Sequence, residues 1–435
     1  MVKDLSLLVS EQDRDRFSRV ATVKIGKKKI LTPSFTTLIQ NSSELDLFLY
    51  LKSEYNPSRL GTFVVRYFDL PETLRKVQPN VKTDVLGRVR EDKYSLLMRD
   101  NVFMIDPVTE YLYYDARRGG FFKNPSTPKI VIDHLYKLQR EKKYQEKGTS
   151  FSKRRDKLHT EFWRQISEDP KMRINFVKRF LEYQMGCGVD VVVPPTPLIH
   201  SKRMLQIAVS INDVSKEIAR GRRLCANYFL FKNTVLKKDS LMNDIKQSIL
   251  ENSSKTITVF KFKNLDLTNP SYIIQRDNYR ELMLDLAYLC QTFENRACMV
   301  LENSYQAFAS PFAGFDLVSS SFTMFDRDVS FSEHPPYGKY LDPVWKVHRT
   351  FDEMVRVYRN LGRLPCPCKA CREVKLPDLS MMSPEEWYAL RRIHVPLYMD
   401  TWMEYVARAV RDKNTELVRD NFANSKITIL KDLLP

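Results

Sequence analysis

Four residues near the C-terminal end have the types and spacing of a metal site: Cys366, Cys368, Cys371 and His394. Three thiols within six residues, Cys-Pro-Cys-Lys-Ala-Cys, are too crowded for a disulfide ladder, and clustered thiolates with a distant imidazole suit tetrahedral Zn2+. Four protein ligands leave no open coordination position, so the expected zinc is structural. Two other histidines, His334 and His348, lie upstream within reach and compete with His394 as the fourth ligand. The bland alternative is three surface thiols and an unrelated histidine. The other cysteines, 187, 225, 290 and 298, sit singly in apolar segments and read as core thiols.

A second set of polar residues stands where apolar runs stop: Asp69, Asp106, Thr196, Lys232, Lys261, Lys263, Glu302 and the serines 319–321. In a parallel α/β protein the chemistry collects at the C-terminal ends of strands, so these are the candidate substrate-binding and catalytic groups. Asp106 leads as a catalytic candidate because it closes the apolar run of NVFMID. Its alternative role is to cap the turn before Pro107.

The elements that must position these groups follow a rhythm. VATVKIGKKKILTPSF (20–35) alternates on both sides of Gly26-Lys27, which predicts a β-hairpin. Strands are expected at 35–39, 61–68, 101–106, 190–197, 225–231, 256–262, 297–302 and 315–322. Most are linked by amphipathic helices, at SSELDLFLYLKSEY, 202–219, 239–252 and 278–293 among others. A short helix is expected from Leu70-Pro71-Glu72, and the stretch 107–170, rich in Tyr, Gly, Lys and Arg, reads as an insertion of mixed helix and loop. Eight strand–helix units with no Gly-rich turn after the first strand predict an α/β fold, a (β/α)8 TIM barrel over 1–350. The zinc-binding subdomain and C-terminal helices then occupy 351–435. His394 is expected at the head of a helix whose apolar face carries Trp387, Leu390, Ile393 and Leu397.

Lys plus Arg number 70 against 53 Asp plus Glu, a net charge of +17. An excess of that size favours a polyanionic partner, because each neutralised phosphate releases counterions. The basic clusters are Lys27-Lys28-Lys29, KLQREKKYQEKGTSFSKRRDK (137–157) and RGRR (220–223). The second of these reads equally as a solvated helix face. Its aromatics, Tyr144 and Phe151, are few, which argues for backbone contact rather than base stacking. No apolar run approaches a membrane span, and the N-terminus lacks the apolar core of a signal peptide, so a soluble cytoplasmic protein is expected.

Cys-x-Cys-x2-Cys followed some twenty residues later by His resembles the zinc subdomain of the tRNA-guanine transglycosylases. That family is built on (β/α)8 barrels and includes relatives that insert 7-deazaguanine bases into DNA. GKKKILTPSF is similar to the family's hairpin and first strand, NVFMID to the strand ending in its purine-contacting aspartate, and YQAFASPFAGFDLVSSSF to its last helix and strand. The resemblance implies that Asp106 contacts the purine and that Gly314-Phe315-Asp316 stands for Gly-Val-Asp. It puts the nucleophile, three residues on, at Ser319. It also implies a dimer through the zinc subdomain. Several positions depart from the pattern. Pro107-Val108 stands for Ser-Gly, Pro194-Pro195-Thr196 lacks the base-reading aspartate, Phe231-Lys232-Asn233 replaces Gln-Gly, and Lys263-Asn264-Leu265 replaces Gly-Gly.

Base exchange at a glycosidic carbon needs a carboxylate nucleophile and an acid for the departing guanine. Three expectations follow from these residues. The first is exchange of guanine for a 7-deazaguanine in tRNA or DNA, with a shift of register letting Asp316, Asp326 or Asp328 supply a carboxylate in place of Ser319. The second is a catalytically silent relative that binds nucleic acid or partners an active subunit. The third is changed chemistry using Lys261, Lys263 and Glu302.

Overall fold

A computed structural model describes residues 5–12, 19–39, 42–67, 100–113, 120–145, 151–251, 256–263, 273–292, 296–301, 305–321, 340–345, 347–372 and 374–414. The predicted helix at Leu70, along with Asp69, Glu302, Asp326, Asp328 and His334, lies outside them. The chain opens with three antiparallel strands, β1 (Leu5–Gln12), β2 (Arg19–Ile25) and β3 (Lys28–Thr32). The expected hairpin is β2–β3, and its turn places Gly26 at φ 61°, a conformation that costs glycine little. β1 is an addition, since LSLLVSEQ alternates weakly.

Ten strand segments then form one all-parallel sheet. They are β4 (Ser34–Ile39), β5 (Thr62–Arg66), β6 (Val102–Asp106), β7 (Val191–Val192), β8 (Leu198–Ile199), β9 (Leu224–Cys225), β10 (Asn227–Lys232), β11 (Ile257–Lys263), β12 (Ala297–Leu301) and β13 (Leu317–Ser321). Their order is β8-β10-β11-β12-β13-β4-β5-β6-β7-β9. The sequence suggests a single strand over 190–197, but the structure splits the segment. Pro194 and Pro195 have no N–H to give a ladder, so pairing stops at Val192 and resumes at Leu198. The next segment breaks at Ala226, whose N–H reaches the Val192 carbonyl at 2.9 Å. The two segments thus meet twice, as β7–β9 (Val191 opposite Leu224) and as β8–β10 (Leu198 opposite Leu230).

Helices α1 (Ser42–Glu54), α2 (Lys129–Gln145), α3 (Phe151–Glu168), α4 (Pro170–Gly186), α5 (Lys202–Ala219), α6 (Asp239–Glu251) and α7 (Ile273–Thr292) fall between the strands. Strand alternation sorts the core into two layers. Phe35, Phe63, Phe103, Phe229, Phe260 and Val318 pack outward, in one cluster with helix residues such as Phe48 and Leu205. Leu38, Val64, Met104, Leu230, Val259, Met299 and Leu317 fill the opposite face with the hairpin residues Val23, Ile25 and Ile30. Two interior ion pairs fix the hairpin beneath the strands' N-terminal ends. Lys28 meets Asp190 at 2.6 Å, and Arg19 grips Asp316 at 2.9 and 2.7 Å. Lys28 is therefore turned inward, and only Lys27 and Lys29 of that basic triplet are exposed.

The described residues of the insertion form short 3-10 turns and the helices α2 and α3. Asp169 caps α4 by accepting from the Met172 N–H at 3.0 Å, with Pro170 at the first helical position. At the C-terminal end come the hairpin β14 (Tyr340–Asp342)–β15 (Val347–Arg349), then α8 (Phe351–Tyr358), α9 (Leu376–Met381) and α10 (Pro384–Arg411). His394 lies well inside α10 rather than at its head. The helix starts at a capping box in which Ser383 and Glu386 bond each other's backbone N–H, so Ser-Pro-Glu-Glu is the true start signal. Trp402 of α10 donates to the Phe308 carbonyl at 3.1 Å, and Arg59 donates to Asp400 and Glu404, so this helix packs on the sheet assembly. No helix of the described residues is long and apolar enough to cross a membrane.

Candidate metal centre and strand-end cluster

Cys366, Cys368, Cys371 and His394 are buried, and their ligand atoms all lie within 4.8 Å of one another. The loop wraps because Cys371 N–H and Arg372 N–H both donate to the Cys368 carbonyl, at 3.1 Å each. An antiparallel bridge between Arg363 and Lys375 closes its neck. His394 Nδ1 stands 3.4 Å from Cys366 Sγ, 3.6 Å from Cys368 Sγ and 3.4 Å from Cys371 Sγ. Metal–sulfur and metal–nitrogen bonds of zinc length put the S···N edge of a tetrahedron at about 3.5 Å, so the four donors already have the spacing of a tetrahedral ion. On the far side of the ring, Nε2 is 2.8 Å from the Leu341 carbonyl. A carbonyl only accepts, so Nε2 donates to it, and Nδ1 is the ring atom turned to the sulfurs. That second contact is the usual one for a ligating histidine.

The imidazole is sandwiched by Tyr340 (4.2 Å between centroids) and Tyr398 (5.5 Å). The Tyr340 hydroxyl donates to Cys371 Sγ at 3.2 Å. Burial, joined by the charge of the three sulfurs, holds that phenol well above its ordinary pKa and so in its neutral, donating form. Hydrogen bonds from the flanking sulfurs push Cys368 below the usual thiol range, toward the thiolate that a metal requires. The hairpin that supplies Leu341 is set by Asp342, which accepts from Arg349 at 2.6 Å and from Tyr358 at 2.7 Å. Tyr340 and Leu341 of this hairpin thus contact the cluster directly.

The strand-end residues divide. Asp106, Lys261 and Glu110 are fully buried and form one ion cluster. Lys261 Nζ bonds Asp106 Oδ2 and lies 2.6 Å from Glu110 Oε1. Asp106 Oδ1 accepts from the Tyr228 hydroxyl at 3.2 Å and from Val108 N–H at 3.0 Å. The capping role expected of Asp106 is thus real, and the carboxylate serves the cluster as well. Val108 needs that cap, since it stands at φ 50°.

Glu110 and Tyr228 escaped the sequence reading. Glu110 lies in a short 3-10 turn (Thr109–Leu112), and Tyr228 looks like one more aromatic in CANYFLF. Lys263 holds its ammonium 4.6 Å above the Tyr111 ring, and its ladder partner Lys232 is exposed at the end of β10. Thr196 is buried, and its carbonyl accepts from the Thr109 hydroxyl.

Asp316 does not join this group. It precedes β13, at the N-terminal end of the parallel strands, where Arg19 and the Cys298 N–H (2.8 Å) occupy both of its oxygens. A register shift that would make it the nucleophile has no support in this geometry. Ser319 is buried on the same face of β13 as Leu317, opposite Thr36 of β4. No protein-family model matches the chain, and no curated protein matches it either.

Proposed function

We propose that the chain is a transglycosylase-type scaffold that binds nucleic acid without exchanging bases. The observation that carries this reading is the state of Asp106. Resemblance assigns it to the purine, yet both of its oxygens are committed to Lys261, Tyr228 and the Val108 N–H. A purine hydrogen-bonded to Asp106 would have to displace Lys261 from it, and removing one partner of a buried ion pair costs about 3–5 kcal/mol. Ser319 at the nucleophile position adds to the case, since a hydroxyl attacks poorly without an adjacent base.

The scaffold in this reading is a closed (β/α)8 barrel. The double meeting of segments 191–199 and 224–232 supports it, because it joins the two ends of the strand order. The ion is Zn2+ held by Cys366, Cys368, Cys371 and His394. It has a structural role, as four protein ligands leave no open position, and supplies cross-linking rather than Lewis acidity. A homodimer or heteromer through the zinc subdomain fits the exposed apolar residues Leu361, Met381 and Tyr388 of that region. Nucleic acid, tRNA or DNA, fits the net charge of +17 and the exposed Lys137, Arg140, Lys143, Lys153, Arg154 and Lys157 of α2 and α3.

The test is incubation with labelled guanine and either tRNA or duplex DNA, beside a binding isotherm in rising salt. The expected result is salt-sensitive binding of at least one nucleic acid and no incorporation into either. Incorporation of label would restore the exchange reading and refute this one.

A further inference from the structure

The ion cluster of Lys261, Asp106 and Glu110 sits on the inward face of the strands, next to the apolar filling of Leu230, Val259 and Met299. Packing gains little from it there, because apolar residues of similar volume commonly replace a buried ion group at no loss of stability. Titratable groups gathered at the C-terminal ends of parallel strands mark a site of chemistry instead. The cluster contains one amine, two carboxylates within hydrogen-bond reach of it, and a phenol that donates to one of them. That is the set needed to deprotonate an amine, to protonate an oxygen and to stabilise an iminium ion.

The next inward-facing position on β11 is Lys263, about 6–7 Å further toward the rim. It is partly exposed, and its ladder partner is the exposed Lys232. Two cations at the lip above a buried amine suit a substrate with a phosphate at one end and a carbonyl at the other.

We propose that Lys261 forms a Schiff base with the open-chain aldehyde of a sugar phosphate, with Lys232 and Lys263 holding the phosphate. A carboxylate of the pair Asp106–Glu110 takes a proton from the Lys261 ammonium. The amine nitrogen then attacks the aldehyde carbon. The C–N bond forms, the carbonyl π pair moves to oxygen, and that oxygen takes the proton back to give the carbinolamine. A second proton passes from nitrogen through the carboxylates to the hydroxyl. The C–O bond breaks, water leaves, and a protonated imine remains with its charge between Asp106 and Glu110. Aldehyde plus ammonium gives iminium plus water, so atoms and charge balance with no oxidant or reductant.

The same aldehyde has two sources, a free sugar phosphate and an abasic site in a nucleic-acid strand. The second source rests on the nucleic-acid reading above; the first does not. The test is borohydride trapping of the full-length chain with 2-deoxyribose 5-phosphate, and separately with a duplex oligonucleotide carrying one abasic site. Peptide mass mapping locates the reduced adduct.

A borohydride-dependent, one-to-one adduct on Lys261 with either probe is the expected result. It should fall at least tenfold in Lys261→Arg and persist in Lys171→Arg, a change on the exposed face of α4. Mapping on the unaltered chain decides the matter even where Lys261→Arg folds poorly. No adduct with either probe, or adducts scattered over exposed lysines with none on Lys261, overturns the proposal. Salt-sensitive binding of the abasic duplex without an adduct overturns it too, while leaving nucleic-acid binding in place. An adduct with the free sugar alone supports it and counts against the nucleic-acid source.

Discussion

Replacing Lys261 by methionine should be one of the most damaging single changes in the sheet interior, and its size follows from the contacts. Methionine keeps most of the volume and removes the charge, leaving Asp106 and Glu110 as two buried carboxylates. Asp106 retains Tyr228 at 3.2 Å and Val108 N–H at 3.0 Å, whereas Glu110 loses the 2.6 Å contact from Lys261. Breaking a buried pair from one side typically costs about 3–5 kcal/mol. Replacing all three charges (Lys261→Met with Asp106→Asn and Glu110→Gln) should cost less than the single change, because no uncompensated ion remains. The assay is urea unfolding at pH 7 followed by circular dichroism, which reads the loss as a lower midpoint at unchanged slope. A Lys261→Met loss below 1 kcal/mol, or a triple variant weaker than the single one, would refute the claim that the cluster is an interdependent ion group.

Three further outcomes follow from other sites. Cys368→Ser should remove a one-to-one metal content measured by atomic emission and lower the melting temperature, while His394→Ala should do the same; full metal retention in His394→Ala would show that this imidazole is not a ligand. His134 and His159 share a buried ring-to-ring hydrogen bond of 2.8 Å, and burial, then the nearby Lys137 charge, lowers His134 to about 4. Its neutral form is the one that folds, so its share of stability is present above the ordinary histidine value of about 6.5 and is lost as pH falls toward 4. The loss is about 3 kcal/mol at pH 4, read by urea midpoints against His134→Phe, which should flatten the profile. Arg19→Met strands the buried Asp316 carboxylate and should cost about 3–5 kcal/mol, while Arg19→Met with Asp316→Asn should recover much of it, both measured by the same unfolding midpoints.

What could be read in the sequence was whatever is written locally. Thiols two and three residues apart announce a metal loop, and continuous apolar runs between amphipathic stretches announce parallel strands, because both patterns fit within one element. Contacts that join distant segments left no local trace. Lys261 meets Asp106 across 155 residues, and Arg19 meets Asp316 across 297. Nothing near either aspartate shows that its charge is already matched. Glu110 was hidden because a short 3-10 turn has no periodicity. The start of α10 differs in kind, since Ser383-Pro384-Glu385-Glu386 is a legible capping signal well ahead of His394.

The pairing of β4 with β13 has a consequence for how the chain is made. Ser34 of the sheet's first strand finds its ladder partner at Leu317, and the metal loop waits for His394. Cys371 waits only the 23 residues to His394, whereas a ribosome releasing the chain from its N-terminus leaves the edge of β4 without its partner until β13 has emerged. Contacts of such sequence separation slow folding, because a long loop must close before any reward arrives. An exposed strand edge in that interval is a template for misassembly. The nascent chain is thus most vulnerable before β13 covers that edge, and the arrival of α10 then completes the metal loop.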